Sequence, residues 1–115
     1  MNCKIASLYI CVKDMDRAIH FYEEFFEQSA VERDTIYSVF DIQGFRFGLF
    51  AYKAMNETHT FGSNCLPSIG FEDVGTLKKK LEGKEICFPL TQIKGNWVAE
   101  FVDSEGNHIE VTAPA

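Results

Sequence analysis

The two halves of the chain follow the same order of sequence features, and this internal repeat restricts the folds that the chain can adopt. A short apolar stretch, a charged residue and an aspartate occupy residues 11–14 and recur at residues 70–73, 59 positions later. A turn sequence with aspartate first and glycine fourth occupies residues 41–44 and recurs at residues 103–106, 62 positions later. One short insertion in the second half explains the difference between the two offsets. Because a small sheet with one helix cannot easily bury both faces, we expect two such units to share a core.

The first half predicts a strand followed by a helix. Residues 5–12 alternate in type, as strands do, and Asp14 is a favoured helix N-cap. The apolar residues that follow have helical spacing: Met15, Ala18, Ile19, Tyr22 and Phe26. Further strands are predicted at residues 30–33, 36–42 and 45–51.

The second half predicts the same order of elements after a polar connecting loop at residues 53–64. A strand at residues 65–71 is followed by a helix that Asp73 caps and that extends to Leu81. Three more strands are predicted at residues 85–90, 96–102 and 107–112. We therefore expect one α+β domain over residues 1–115, with module one at about residues 1–52 and module two at about residues 65–115.

The charge balance argues against several classes of partner. Seventeen Asp and Glu residues against eleven Lys and Arg give a net charge of −6 and a pI near 5.0. Nucleic acids and anionic membranes require clustered basic residues, so we expect neither as a partner. The sequence shows no apolar run of membrane-spanning length and no secretory signal, and its four cysteines form no C-x-x-C pair. These features favour a cytoplasmic protein with reduced cysteines.

Two segments match the motifs of a known superfamily. Residues 12–22 read V-K-D-M-D-R-A-I-H-F-Y, and residues 101–111 read F-V-D-S-E-G-N-H-I-E-V. Together with the repeat, these segments resemble the vicinal oxygen chelate superfamily, which includes glyoxalase I, extradiol dioxygenases and the bleomycin resistance proteins. Ser104 stands where the family usually has proline. The resemblance implies a single domain of two βαβββ modules whose curled, mixed sheets form a U-shaped cleft.

In the metal-dependent members of this superfamily, four cleft-facing residues, typically His or Glu, hold one divalent ion. The resemblance places these positions at Ser7, Gly48 (or Leu49, if the alignment slips by one residue), Leu66 and Glu110. Of these four, Glu110 alone is a competent ligand, whereas a transition metal needs three or four N, O or S donors. His59, Cys65 and His108 offer donors elsewhere, but too few of them to complete a set. We therefore expect no metal ion and no cofactor.

Strand alternation divides the side chains between a cleft face and a core face. The core face is uniformly apolar and takes up Phe45, Phe47 and Phe71 of the eleven phenylalanines. The cleft face mixes aromatic and polar side chains, as ligand sites do. The candidate ligand-binding residues are Ser7, Tyr9, Arg46, Phe50, Ser68, Glu100, His108 and Glu110.

The sequence leaves three possible roles open for the Glu110 side chain. Its carboxylate pairs with Arg46 or His108, recognises a cationic or hydrogen-bonding group of a ligand, or acts in general acid–base catalysis. Glu100 lies across the hairpin from Glu110 if the intervening turn keeps the strands in even register, which the sequence leaves open.

The resemblance implies binding rather than catalysis. Bleomycin resistance proteins are metal-free dimers that sequester a ligand in acidic, aromatic clefts, and we expect a homodimer that binds a small cationic or aromatic molecule in the same way. A metal-dependent glyoxalase-like lyase or dioxygenase is the alternative. A protein that acts through protein–protein contact is a third class, and no catalytic residue is assigned.

Overall fold

The structure, a computed structural model, describes residues 2–56, 58–62 and 65–115. The chain divides into two compact units, Met1–Thr60 and Phe61–Ala115. The predicted connecting loop at residues 53–64 includes three residues outside the described ranges, Glu57, Ser63 and Asn64. The first residues of this loop are helical, because a short 3-10 helix spans Tyr52–Met55.

The first unit contains a three-stranded sheet and one helix. Its elements are β1 (Leu8–Val12), α1 (Met15–Phe26), β2 (Tyr37–Ile42) and β3 (Phe45–Ala51). The strand order is β1-β3-β2, with β1 parallel and β2 antiparallel to β3. A two-residue turn joins β2 to β3, and its residues Gln43 and Gly44 both have positive φ, as the tightest hairpins require.

Local capping fixes the bounds of α1. The Asp14 side chain accepts a hydrogen bond from the Arg17 N–H at 3.0 Å, which satisfies one of the free donors of the first turn. The helix ends at Phe26, and the C-cap residue Glu27 adopts the left-handed conformation. The buried stripe contains Phe25 where the spacing predicted Phe26, and Phe26 is half-buried.

Residues 30–33, predicted as a strand, form an isolated bridge between Glu32 and Val39 and no longer ladder among the described residues. Two successive N–H groups donate to the single carbonyl of Val39, so a regular ladder cannot continue. Asp34 then accepts two backbone hydrogen bonds at 3.0 and 3.2 Å and turns the chain into β2. The first unit therefore has three strands where the sequence predicted four.

The second unit contains a four-stranded sheet and one helix. Its elements are β4 (Ser68–Gly70), α2 (Val74–Leu81), β5 (Glu85–Ile93), β6 (Asn96–Val102) and β7 (His108–Pro114). The strand order is β4-β7-β6-β5, with β4 parallel to β7 and the other pairs antiparallel. β5 is an edge strand with interrupted register, which suits Pro89 because proline donates no ladder hydrogen bond. In the part of the chain that the structure describes, neither α1 nor α2 is long and apolar enough to cross a membrane.

The two sheets repeat the same register. Tyr9 lies opposite Gly48 in the parallel pair of the first unit, and Ser68 lies opposite Glu110 in the parallel pair of the second. The two offsets read from the sequence, 59 and 62, convert the first pair into the second. The α+β fold class with an internal repeat is thus confirmed.

The centres of the apolar strand faces are buried as predicted, whereas Leu8, Ile69 and Phe71 are half-buried. Phe47 and Leu49 are buried in the first unit, and Ile109 and Val111 are buried in the second. Phe45 is 45% exposed because it starts β3 directly after the hairpin turn, so its assignment to the core was wrong.

Candidate functional site

The second unit carries a row of polar side chains on one face of its sheet, which we call the acidic face: Ser68, Cys87, Glu100, His108 and Glu110. The register that the sequence left open places Glu100 directly opposite Glu110 on β6 and β7. Ser68 of β4 lies opposite Glu110 on its other side. Side chains of opposite residues project to the same face of a sheet, so the two carboxylates are neighbours.

Each carboxylate of the acidic face has its own hydrogen-bond partners. The Ser68 hydroxyl donates to Glu110 Oε1 at 2.6 Å. His108 Nδ1 lies 2.8 Å from Glu100 Oε1, and the Cys87 thiol donates to the same oxygen at 3.3 Å. The histidine therefore pairs with Glu100, which corrects the interpretation that it pairs with Glu110.

The acidic face is partly shielded from solvent. The side chains of His108 and Glu100 are 27% and 20% exposed, so their hydrogen bonds are less screened than those of a fully hydrated pair. Burial, followed by the hydrogen bond to Glu100 and the charge of that carboxylate, raises the pKa of the Cys87 thiol. Cys87 is therefore a protonated hydrogen-bond donor at neutral pH. No motif or residue spacing predicted Cys87 as a site residue.

The first unit carries an aromatic patch formed by Tyr9, Tyr37 and Phe50. The rings of Tyr37 and Phe50 stack at 4.9 Å, and the ring of Tyr9 meets Tyr37 edge-on at 5.6 Å. Tyr9 and Tyr37 are 40% and 47% exposed, so ring surface is open to solvent. Tyr9 and Phe50 were predicted candidates. Tyr37 was missed, although it lies opposite Phe50 on the neighbouring strand.

Gly48 is the position in the first unit that corresponds to Glu110, and the Tyr9 ring occupies its side-chain space. A Cβ added at Gly48 would lie 2.3 Å from two carbons of that ring, far inside contact distance. Leu66, another of the four positions, offers no donor atom. The residues present therefore do not fit the divalent ion that the metal-dependent members of the superfamily hold at these positions.

Two of the predicted residues have other surroundings. Arg46 Nη1 lies 2.9 Å from Glu32 Oε2, and the hydrogen bond to Glu32 raises the pKa of the already basic guanidinium. This ion pair corrects the interpretation that Arg46 pairs with Glu110, whose hydrogen-bond partner is Ser68. Ser7 is half-buried and directly precedes β1.

A separate groove of about 540 Å³ opens beside the start of α1. It is lined by Asp14, Met15, Asp16, Ile19, Arg33, Asp34 and Thr35, which include none of the eight predicted residues. Asp14 and Asp34 already accept backbone hydrogen bonds there. We assign this groove no ligand.

Solved structures with the same fold were found at low sequence identity. A glyoxalase/bleomycin resistance protein/dioxygenase family enzyme from Burkholderia phytofirmans superposes with a TM-score of 0.79 and 17% identity, over 96% of this chain and 98% of that one. A glyoxalase-related enzyme from Fulvimarina pelagi gives 0.79 and 12%, over 96% and 87%. A lactoylglutathione lyase from Agrobacterium tumefaciens gives 0.76 and 17%, over 96% and 92%. No family model and no curated protein matches the sequence.

These similarities establish the fold. The chain has the glyoxalase/bleomycin resistance fold, as its two motifs predicted. At such low identity the activities named for the similar structures do not transfer to this chain, and its function is argued from its own side chains.

Proposed function

We propose that the protein binds a small molecule that carries a cationic group, and that the acidic face of the second unit receives that group. One observation carries the proposal: Glu100 and Glu110 lie directly opposite each other on adjacent strands. Like charges in this position destabilise a sheet, and a bound cation removes the repulsion.

The partners of the two carboxylates support this proposal. Among the described residues, neither Glu100 nor Glu110 forms an ion pair with lysine or arginine, and their partners are a hydroxyl, a thiol and an imidazole. No lysine or arginine of the described ranges therefore neutralises the charge of this face. Because the face is partly buried, an organic cation there gains more than it would at an exposed carboxylate.

The aromatic patch supports an aromatic or cationic component of the same ligand class. Exposed faces of Tyr9 and Tyr37 can stack on a planar ring, and aromatic faces also attract cations by about 0.5–2 kcal/mol. Taken separately, the patch of the first unit favours a planar ring or a cation, and the acidic face of the second unit favours a cation.

The alternative function, a metal-dependent lyase or dioxygenase, is not supported at the four superfamily positions. Gly48 and Leu66 carry no donor atom, and any side chain at position 48 displaces Tyr9. We therefore propose that ligand binding needs no metal at those positions.

We also propose a homodimer that works in the cytoplasm. The edge strand β5 exposes Ile86, Phe88 and Ile93, and exposed apolar side chains on a sheet edge favour pairing with another chain. The four cysteines are free, as is usual in a reducing compartment.

Calorimetric titration of chelator-treated protein tests the binding proposal. Tryptamine and indole-3-acetate share a ring and differ in the sign of their charge, so we expect binding of tryptamine and much weaker binding of indole-3-acetate. Glu110→Gln should weaken tryptamine binding about 10- to 100-fold, because it removes a charged partner worth about 1.5–3 kcal/mol. Glu72→Gln, at an exposed position of the same unit, should leave binding unchanged. Equal binding of both compounds, or of both variants, would contradict the proposal.

A further inference from the structure

Three side chains of the acidic face bring together the donor types that transition metals prefer. Cys87, Glu100 and His108 come from three adjacent strands, β5, β6 and β7. Their sulfur, oxygen and nitrogen donors all lie within 4.8 Å of one another. Pairing of the three strands brings these donors together, since the residues are far apart in the sequence.

The distances between these donors are close to those of a tetrahedral metal site. Sγ to Nδ1 is 3.6 Å, Sγ to Oε1 is 3.3 Å, and Nδ1 to Oε1 is 2.8 Å. Zinc–ligand bonds of about 2.0–2.3 Å place neighbouring tetrahedral donors about 3.3–3.6 Å apart. The carboxylate needs to move by only about half an ångström from the imidazole to complete that geometry.

We propose that Cys87, Glu100 and His108 bind one divalent transition-metal ion, with zinc as the favoured ion. This inference goes beyond the proposed binding of an organic cation, and it uses none of the four superfamily metal positions. The donor set decides the class of metal: thiolate and imidazole ligands suit zinc and cobalt, whereas magnesium and calcium require oxygen.

The site leaves one coordination position for another ligand. Three protein ligands and an open fourth position are typical of zinc sites that bind a water or a substrate atom. Glu110 lies opposite Glu100 and adds a further carboxylate to the same face. A thiolate and a carboxylate together supply two negative charges, which match a divalent ion, so binding requires the Cys87 proton to leave.

Metal titration of the full-length, chelator-treated and reduced protein tests this inference with Zn²⁺ and Co²⁺ alone. We expect one ion per chain and, with Co²⁺, a thiolate-to-metal charge-transfer absorption. Cys87→Ser should abolish that absorption, and Glu100→Gln and His108→Gln should each weaken Zn²⁺ binding by at least about tenfold. Cys65→Ser, which changes an exposed cysteine outside the cluster, should leave the absorption and the affinity unchanged.

Circular dichroism of each variant separates a lost site from a lost fold. Absence of the charge-transfer absorption in folded wild-type protein, or Zn²⁺ binding that is as tight in folded Cys87→Ser as in wild type, would overturn the inference. Because tryptamine binding is measured on chelator-treated protein without added metal, and the metal titration contains no organic cation, either proposal can fail without the other.

Discussion

At the scale of single residues, Asp103 shows that a motif shared with a superfamily can serve the fold rather than the site. Its buried carboxylate accepts hydrogen bonds from the N–H groups of Glu105 and Asn107 at 2.9 and 2.8 Å. The Asn107 side chain donates to its second oxygen at 3.3 Å. Asp103 therefore holds the β6–β7 turn, and that turn sets the register that brings Glu100 opposite Glu110.

Replacement of Asp103 should destabilise the protein through these bonds. Asp103→Ala leaves buried N–H groups without an acceptor, so we expect the free energy of unfolding to fall by about 1.5–3 kcal/mol. Asp103→Asn keeps one acceptor oxygen and should lose clearly less. Urea unfolding of the three proteins measures the difference, and equal stability of the alanine variant and wild type would refute the structural role.

At the scale of elements, the pairing of β1 with β3 explains why the first unit lacks an equivalent of Glu110. Tyr9 covers Gly48, so the sheet has an aromatic ring where the second unit has a carboxylate. Gly48→Ala forces this ring to move, and we expect a loss of about 1–3 kcal/mol in unfolding free energy. The control is Gly70→Ala, where an added Cβ would meet only the Thr112 hydroxyl at an ordinary 3.7 Å.

A double-mutant cycle assigns the cost of Gly48→Ala to the Tyr9 ring. When Tyr9→Ala is already present, the alanine at position 48 has room, so its additional cost should be much smaller than in wild type. Additive losses from the two substitutions would show that the strain at Gly48 comes from somewhere else.

Elements with local signals were predictable from sequence, and elements set by tertiary pairing were not. Asp14 and Asp73 cap α1 and α2 through side-chain hydrogen bonds, so both helix starts were found. The strand predicted at residues 30–33 does not form, because Asp34 turns the chain away from it. β5 extends beyond its predicted end because it pairs with β6. The alternation of apolar residues indicates a strand but does not predict which other strand it pairs with.

At the scale of the whole molecule, the candidate site was predictable where the repeat constrained it. The repeat related Gly48 to Glu110, and strand alternation assigned Ser68 to the same face as Glu110, which it pairs with in the structure. Cys87 was missed because the register of β5 is irregular on both sides of Phe88, so alternation could not assign its face. The sequence therefore predicted the carboxylates and the histidine, but not the three-donor cluster.

The proposed homodimer can be tested by the mass of the protein in solution. Light scattering should give twice the 13.1 kDa chain mass at micromolar concentration. Ile86→Lys should shift this mass toward one chain, because a charged side chain on an edge strand disfavours pairing between chains. A monomeric wild-type protein would refute the dimer, and an unshifted dimer of Ile86→Lys would place its interface away from β5.

The proposed function depends on recognition of a cation by the carboxylates of the acidic face. Its most direct test is a map of backbone amide chemical shifts in ¹⁵N-labelled, chelator-treated protein during titration with tryptamine and, separately, with indole-3-acetate. We expect tryptamine to shift the amides of Ser68, Glu100 and Glu110, and indole-3-acetate to leave these three unmoved. No tryptamine shift at these positions, or equal shifts with both compounds, would contradict the claim.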